Sequence, residues 1–378
     1  MKVAVFFGGK SCEHSISVIT AVQTMQALKQ RHEVIPVFID NMTGSFWTGK
    51  NLDTLEAFKE SAKVKKVRVV LAPGSDKLYT YKGKVLAKLD AALLCTHGFG
   101  GEDGCLQGLL TLCGIPYTGS NVLASAVGMD KIFMKKVFER DFLPVVPYVG
   151  FSKSEYKSDL YNVVEKIKQS LCFPMIVKPA NLGSSIGISV AHDFPELFEA
   201  ISVGFMWDTR VVVEKALTDF KEYNCAAVGA NGDYVVSEVE RPLSSQTFLT
   251  YSEKYGTKKG GGTITGGKGK VKSDVVANKE FPANIPAELA DKIKSYTKRV
   301  LDAIGASGVA RVDFLYADGH LFVNEINTIP GALSNYLFSK GSQTLSFADL
   351  LDKLLNLALK AQKERDGLIY KYESSFKV

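Results

Sequence analysis

Apolar positions along the first 120 residues follow two alternating rhythms. A five-residue apolar run in MKVAVFFGGK predicts a strand over 3–7 that stops at Gly8-Gly9. From about Ser15 to Lys29 the apolar positions recur at helical spacing, and EVIPVFI at 33–39 returns to strand character. A Gly/Trp-rich turn separates this strand from LDAALLCTHG, a run apolar enough to be buried on both faces. Beyond HGFGGEDG a helix is expected from about Cys105 to Cys113. This alternation predicts an open, mostly parallel α/β sheet.

The pattern then lengthens. One helical run begins near Ser120 and continues through MDKIFMKKVFERDF. PVVPYV, FPMIVKPA, ISVAH and RVVVEKAL read as strands, with helices near 156–171 and after an Asp193 cap. Asn231-Gly232 is a hairpin turn between EYNCAAVGA and DYVVSEVE. Residues 256–274, GTKKGGGTITGGKGKVKSD, hold too few apolar groups for an element and read as a long loop. Two helices, 286–303 and one opened by Ser346-x-x-Asp349, enclose a second hairpin at 310–331. No internal repeat is visible.

That second hairpin, ARVDFLYADGHLFVNEINTIPG, concentrates polar groups at spacing two: Arg311 with Asp313, Glu325 with Asn327. Residues i and i+2 of a strand share a face. A three-residue loop, Ala317-Asp318-Gly319, would pair Tyr316 with His320 and Arg311 with Glu325, gathering all four groups on one side. Asp313, Glu325 and Asn327 offer only oxygen acceptors, the set that hard cations such as magnesium take together with substrate phosphates. No histidine or cysteine stands with them, which disfavours zinc. A solvated face with Arg311 paired to a carboxylate is the plainer alternative.

Composition narrows the class. With 46% hydrophobic and 23% charged residues the chain reads as an ordinary soluble globular protein, and 378 residues allow two or three domains. No apolar run approaches the roughly 18 residues of a membrane span, and the N-terminal run is too short for a signal peptide. Six scattered cysteines without a CxxC pair fit a cytoplasmic protein with free thiols. The net charge of +6 invites a nucleic-acid reading, but six lysines between Lys254 and Lys272 fall in the Gly-rich loop and no aromatic-interleaved basic module appears. A local anionic ligand accounts for them better.

Further candidates are ambiguous singly. NLGSSIG (181–187) follows a strand carrying Lys178 and can fold over phosphates, though it is not a Walker A loop and reads equally as a turn. HGFGGEDG ends a strand and opens a helix, where free N–H groups favour an anion. Glu102 and Asp103 there fit helix N-terminal charges as well. Gly8-Gly9 makes a similar turn without GxGxxG.

Taken in order, GGKSCEHSIS (8–17), HGFGGEDGCLQG (97–108), GMDK (128–131), IVKPANLGSSIG (176–187) and RVD…NEINTIPG (311–331) resemble the D-alanine–D-alanine ligases of the ATP-grasp superfamily, from Val3 to about Asn335. The resemblance implies a three-domain ATP-grasp fold: an N-terminal α/β domain at 1–120, a central subdomain at 121–210, and a catalytic domain at 211–378 with a lid near 248–274. The last two enclose the nucleotide. It implies ATP-dependent joining of two D-alanine molecules through an acyl phosphate, for peptidoglycan precursors, with no nucleic-acid or membrane partner and a homodimeric assembly. D-lactate or D-serine as the second substrate, and a non-catalytic ATP-binding scaffold, are the alternatives.

Motif by motif, Lys131, Lys178, Ser185, Glu214, Lys215, Glu222 and Lys254 are then expected at ATP, with Glu214 and Lys215 near adenine and Glu222 near ribose. Asp313, Glu325 and Asn327 are expected to hold two Mg2+ ions, with Mn2+ as a substitute. Glu13 should receive the first ammonium with His97 nearby. Arg311 and the Gly331 N–H should face the oxyanion, and Ser184 should bond Tyr255 to close the site. After Pro330-Gly331 the run is ALSNYLF, so Tyr336 occupies a position where the family has serine, with Ser334 as its possible replacement for the second carboxylate.

Overall fold

The computed structural model describes residues 1–59, 64–243 and 279–370. Lys254 and Tyr255, with the expected lid at 248–274, lie outside the described residues.

Seven strands form the first sheet: β1 (Lys2–Gly8), β2 (Glu33–Ile39), β3 (Phe46–Thr48), β4 (Val67–Leu71), β5 (Lys77–Thr80), β6 (Val85–Lys88) and β7 (Ala91–Leu94), in the order β6-β5-β4-β3-β2-β1-β7. β1 is parallel to both β2 and β7. From β2 outward to β6 every pairing is antiparallel. The expected parallel sheet is therefore a three-strand core with an antiparallel extension. β3 to β6 are three to five residues long and largely half-exposed, too short to show a period.

Helix α1 (His14–Leu28) packs on β1, and α2 (Cys105–Cys113) runs between glycine caps. Gly104 and Gly114 both adopt left-handed φ, +95° and +68°, which glycine accepts without Cβ strain. The single long helix expected after Ser120 is two: α3 (Val122–Met129) and α4 (Lys131–Arg140). Asp130 breaks it by taking extended backbone and capping α4, its Oδ1 accepting the N–H groups of Ile132 at 3.0 Å and Phe133 at 2.9 Å.

A second, antiparallel sheet joins β8 (Tyr148–Ser152), β9 (Met175–Pro179), β10 (Ser189–Ala191) and β11 (Arg210–Lys215) in the order β10-β9-β11-β8. Helices α5 (Lys153–Ser158), α6 (Leu160–Ser170) and α7 (Phe194–Trp207) accompany it. Strand β8 begins four residues later than PVVPYV suggested.

The third sheet is built from β12 (Lys221–Ala230), β13 (Asp233–Val236), then, past the short β14 (Arg241–Pro242) and β15 (Lys279–Glu280) pair, β16 (Gly308–Ala317) and β17 (His320–Asn327). Its order is β13-β12-β16-β17, all antiparallel. Val312, Phe314, Val323 and Ile326 bury its apolar face with Ile293, Val300 and Leu301 of α8 (Ala287–Ile304). The last helix, α9 (Phe347–Asp366), places Leu350, Leu351, Leu354 and Leu355 in a core shared by the first sheet and, through Ala226 and Val228 of β12 and Val309 of β16, by the third. No helix among the described residues is long and apolar enough to cross a membrane.

Candidate active site

The hairpin register corrects the expected pairing. Ala317 pairs with His320, so the turn is the two-residue Asp318-Gly319, with φ of +51° and +77° as a type I′ turn requires. The ladder then slips between Asp313 and Phe314, leaving Asn324 as the extra residue of a bulge. Arg311 thus faces Asn327, and Asp313 faces Glu325. The error is two residues, which preserves parity, so the four groups still share one face. β12 extends that face: Asn224 pairs with Asp313 and Ala226 with Arg311. One rung across three strands therefore reads Asn224, Asp313, Glu325.

Within this floor Arg311 grips Asp313 with both arms of its fork, Nε to Oδ1 at 2.6 Å and Nη2 to Oδ2 at 2.7 Å. The Asn327 amide donates to Asp313 Oδ2 at 3.3 Å. Two lysines face it from the second sheet's side. Lys131, first residue of α4, donates to the Leu182 carbonyl at 2.8 Å and pairs with Glu325 at 3.3 Å. Lys178, within the buried strand β9, pairs with Glu214 at 3.0 Å and reaches Asn324 Oδ1 at 3.5 Å. The bulge is what turns Asn324 toward it. The cleft between floor and lysines is also lined by Ser184, Ser185 and Glu222.

Glu214 lies buried at the back of this cleft between Lys178 and Lys135, a lysine the sequence reading passed over. Burial alone would raise its pKa, but the two ammonium groups hold it below the ordinary carboxylate range. Lys215, its neighbour on β11, is exposed.

The loop after β9 is anchored by Asn181, whose N–H and side-chain amide both donate to Asp208 Oδ2, at 2.7 and 3.0 Å. Ser184 and Ser185 then take left-handed φ of +56° and +58°, and the Ser184 hydroxyl reaches Glu13. Its described partner is thus the carboxylate that precedes α1, beside the first sheet. Glu102 joins the same edge, accepting the N–H groups of Gly98 at 2.7 Å and Ile329 at 3.2 Å. Burial, then the nearby Glu13, push the Glu102 carboxyl up to about 8.

His97 holds the turn beyond β17. The Ala332 N–H donates to Thr20 Oγ1 at 3.0 Å, leaving the threonine hydrogen for His97 Nε2 at 3.1 Å, and the ring also bonds the Ile329 backbone. Burial draws its pKa down to about 4, so the ring is neutral. Ala332, Leu333 and Ser334 follow with φ near +50°, which turns the chain sharply after Gly331. Ser334 is fully buried, its Oγ without a hydrogen-bond partner among the described residues. Tyr336 instead sits near Arg311 and Asp313, donating to Glu240 at 3.0 Å with the Lys279 ammonium 3.3 Å from its ring centre.

Family models for the D-ala D-ala ligase N-terminus and C-terminus match residues 2–120 and 137–356. The chain is 37% identical to a D-alanine–D-alanine ligase of Thermosipho africanus over 99% of its own length and 98% of the relative's. This chain belongs to the D-alanine–D-alanine ligase family. It is 34% identical to the ligase of Caldicellulosiruptor bescii, covering 99% of each. Among solved structures, a D-Ala:D-Ser ligase from Enterococcus faecalis aligns with TM-score 0.77 at 29% identity, covering 94% of this chain and 99% of that one. The Coxiella burnetii D-alanine–D-alanine ligase shares the fold, with TM-score 0.78 at 24% identity and 97% and 96% covered.

Glu13, His97, Ser184, Ser185, Lys131, Lys178, Glu222, Arg311, Asp313, Glu325 and Asn327 meet around one cleft and its edge. Sequence reading missed Thr20, Lys135, Asn224, Asn324, Glu240 and Lys279. Asn224 alone had a signal, being two residues from Glu222 on a predicted strand. Asp313, Glu325 and Asn327 bring two carboxylates and an amide to adjacent rungs, a donor set whose chemistry would suit a hard cation. No group of three His, Cys, Asp or Glu residues suited to a metal occurs among the described residues.

Proposed function

We propose that this chain joins two D-alanine molecules into D-alanyl-D-alanine, using ATP and releasing ADP and phosphate. The observation that carries the reading is the polar floor of β12, β16 and β17 faced by Lys131 and Lys178. It sets anionic and cationic groups around one cleft, an arrangement suited to phosphoryl transfer by positioning.

In this reading Lys131 and Lys178 neutralise the ATP phosphates, assisted by the backbone at Ser184 and Ser185. Glu214 and Lys215 lie toward the adenine and Glu222 toward the ribose. Asp313, Glu325 and Asn327 hold two Mg2+ ions, which when bound offset phosphate charge. Glu13 receives the ammonium of the first D-alanine. Glu102 supports the same assignment: its carboxyl is raised partly by Glu13, and an ammonium between them relieves that repulsion.

The carboxylate of this D-alanine takes the γ-phosphoryl group, giving an acyl phosphate and ADP. The amine of the second D-alanine attacks the carbonyl carbon, and Arg311 with the Gly331 N–H holds the oxyanion until phosphate leaves. Neutral His97 fixes the 329–332 turn that presents Gly331. Tyr336 borders the second-substrate side, while burial of Ser334 argues against its meeting that carboxylate. Lys254 and Tyr255, expected from their motifs at ATP and at site closure, lie outside the described residues. The three-domain division at 1–120, 121–210 and 211–378, a homodimer and a cytoplasmic location complete the proposal.

The test is incubation with Mg-ATP and D-alanine, alone and with D-lactate or D-serine, and product identification by mass. D-alanyl-D-alanine as the main product in every mixture supports the reading. A mixed product in preference to it reassigns the acceptor, and ATP-dependent product formation with none of them overturns the assignment.

A further inference from the structure

Lys135 is the most thoroughly buried cation of the described chain, 0% exposed, and the mechanism above gives it no part. It stands one helical turn beyond Lys131 on α4, so both ammonium groups project from the same helix face. The α4 face packs on the second sheet through Ile132, Val212 and Ala180. The approach is close: a Cβ at Gly150 would come within 2.7 Å of Ile132. On that face β9 and β11 set Lys178 opposite Val212 and Ile176 opposite Glu214, making Lys178 and Glu214 diagonal neighbours.

Glu214 divides its two oxygens. Oε2 meets Lys178 at 3.0 Å and Oε1 meets Lys135 at 3.3 Å. One buried carboxylate is thus shared by two buried ammonium groups, so neither lysine has Glu214 to itself. Burial pulls the Lys135 ammonium below its ordinary pKa in spite of Glu214. Of the two lysines, Lys178 is the one that lines the cleft.

We infer that Lys135 is a positioning residue: by occupying one oxygen of Glu214 it keeps that carboxylate from fully neutralising Lys178, so that the Lys178 charge stays directed at the nucleotide phosphates. The inference rests on the proposed ATP site and deepens it. Lys135 touches no substrate and acts through Glu214 and Lys178.

The experiment compares Lys135→Met, Lys135→Arg and Lys178→Met by steady-state kinetics, with apparent affinity for Mg-ADP measured by calorimetry. Lys135→Met should raise the KM for ATP and weaken Mg-ADP binding at least about tenfold, the scale of losing an outer-shell partner. Its KM for D-alanine should stay within about twofold, and Lys135→Arg should recover most of the nucleotide affinity. If Lys135→Met does not fold, Lys135→Gln carries the same prediction, since it also lacks the charge. A folded, uncharged variant with unchanged nucleotide affinity overturns the inference. So does a loss shared equally by nucleotide and D-alanine, which marks a structural role. If Lys178→Met leaves nucleotide affinity intact, the ATP-site reading itself fails.

Discussion

Arg311 and His97 show how individual side chains are set before substrate arrives. Arg311 has its fork fixed on Asp313 in the same strand, so its guanidinium is ordered. Exchanging it for methionine removes that oriented cation while leaving Lys131 and Lys178 in place. Steady-state assays of R311M should show kcat/KM for ligation reduced by the equivalent of about 3–4 kcal/mol, with nucleotide binding still detectable by calorimetry. Turnover near that of the parent chain would remove Arg311 from the oxyanion role.

His97 is buried and neutral, its pKa moved from 6.5 to about 4. A folded pKa below the unfolded one means that the unfolded chain takes up a proton first as pH falls. Stability is therefore lost between about pH 6.5 and 4, by roughly 3 kcal/mol over the window. Denaturant unfolding of His97→Asn should show a lower stability at pH 7 but a flatter decline toward pH 4. An unchanged decline would mean that another group sets the acid limit. The spacing of Arg311, Asp313, Glu325 and Asn327 was legible in the sequence because parity along a strand needs no knowledge of partners. Lys135 was not. In MKK nothing local tells a buried lysine from a solvated one, since the difference lies in β9 and β11.

At the scale of elements, the helix break at Asp130 matters most. The apolar pattern through 120–142 is continuous, so periodicity alone gives one helix. An aspartate that can cap was the available signal for two. Asp130 is 3% exposed and also pairs with Arg210 of β11, tying the start of α4 to the second sheet. The Lys131 N–H completes the tie by donating to the Ala180 carbonyl at 2.9 Å.

Asp130→Ala should thus act on both stability and nucleotide. Loss of the cap costs about 1–2 kcal/mol, and leaving Arg210 without its partner adds to it. Thermal unfolding should show a lower Tm, and the KM for ATP should rise because Lys131 loses its fixed origin. A lowered Tm with unaltered ATP KM would separate the cap from the site. The hairpin teaches a related lesson. Its faces followed from alternation, whereas its register depended on a bulge whose extra residue, Asn324, is stabilised by contact with Lys178 from another sheet.

Across the whole molecule, three sheets meet at the site through a few polar contacts. Ser184 of the second sheet's loop bonds Glu13 beside the first sheet, and Glu102 and Thr20 hold the backbone of Ile329 and Ala332 beyond the third. Lys131 and Lys178 close the remaining side against Glu325 and Asn324. None of these contacts was visible as a pair in the sequence, although most of the residues were marked by their motifs. The antiparallel extension β3 to β6 escaped notice because strands so short and half-exposed lack a periodic signature. That α9 also packs against the first sheet escaped because amphipathicity does not name every partner.

The central claim is that this assembled cleft activates a D-alanine carboxylate as an acyl phosphate. The most direct measurement uses D-alanine labelled with 18O in its carboxylate, Mg-ATP and the purified chain, with mass analysis of the phosphate released. One labelled oxygen per phosphate is expected, carried across when the second amine displaces it, in step with the appearance of dipeptide. Dipeptide formed with unlabelled phosphate would contradict it.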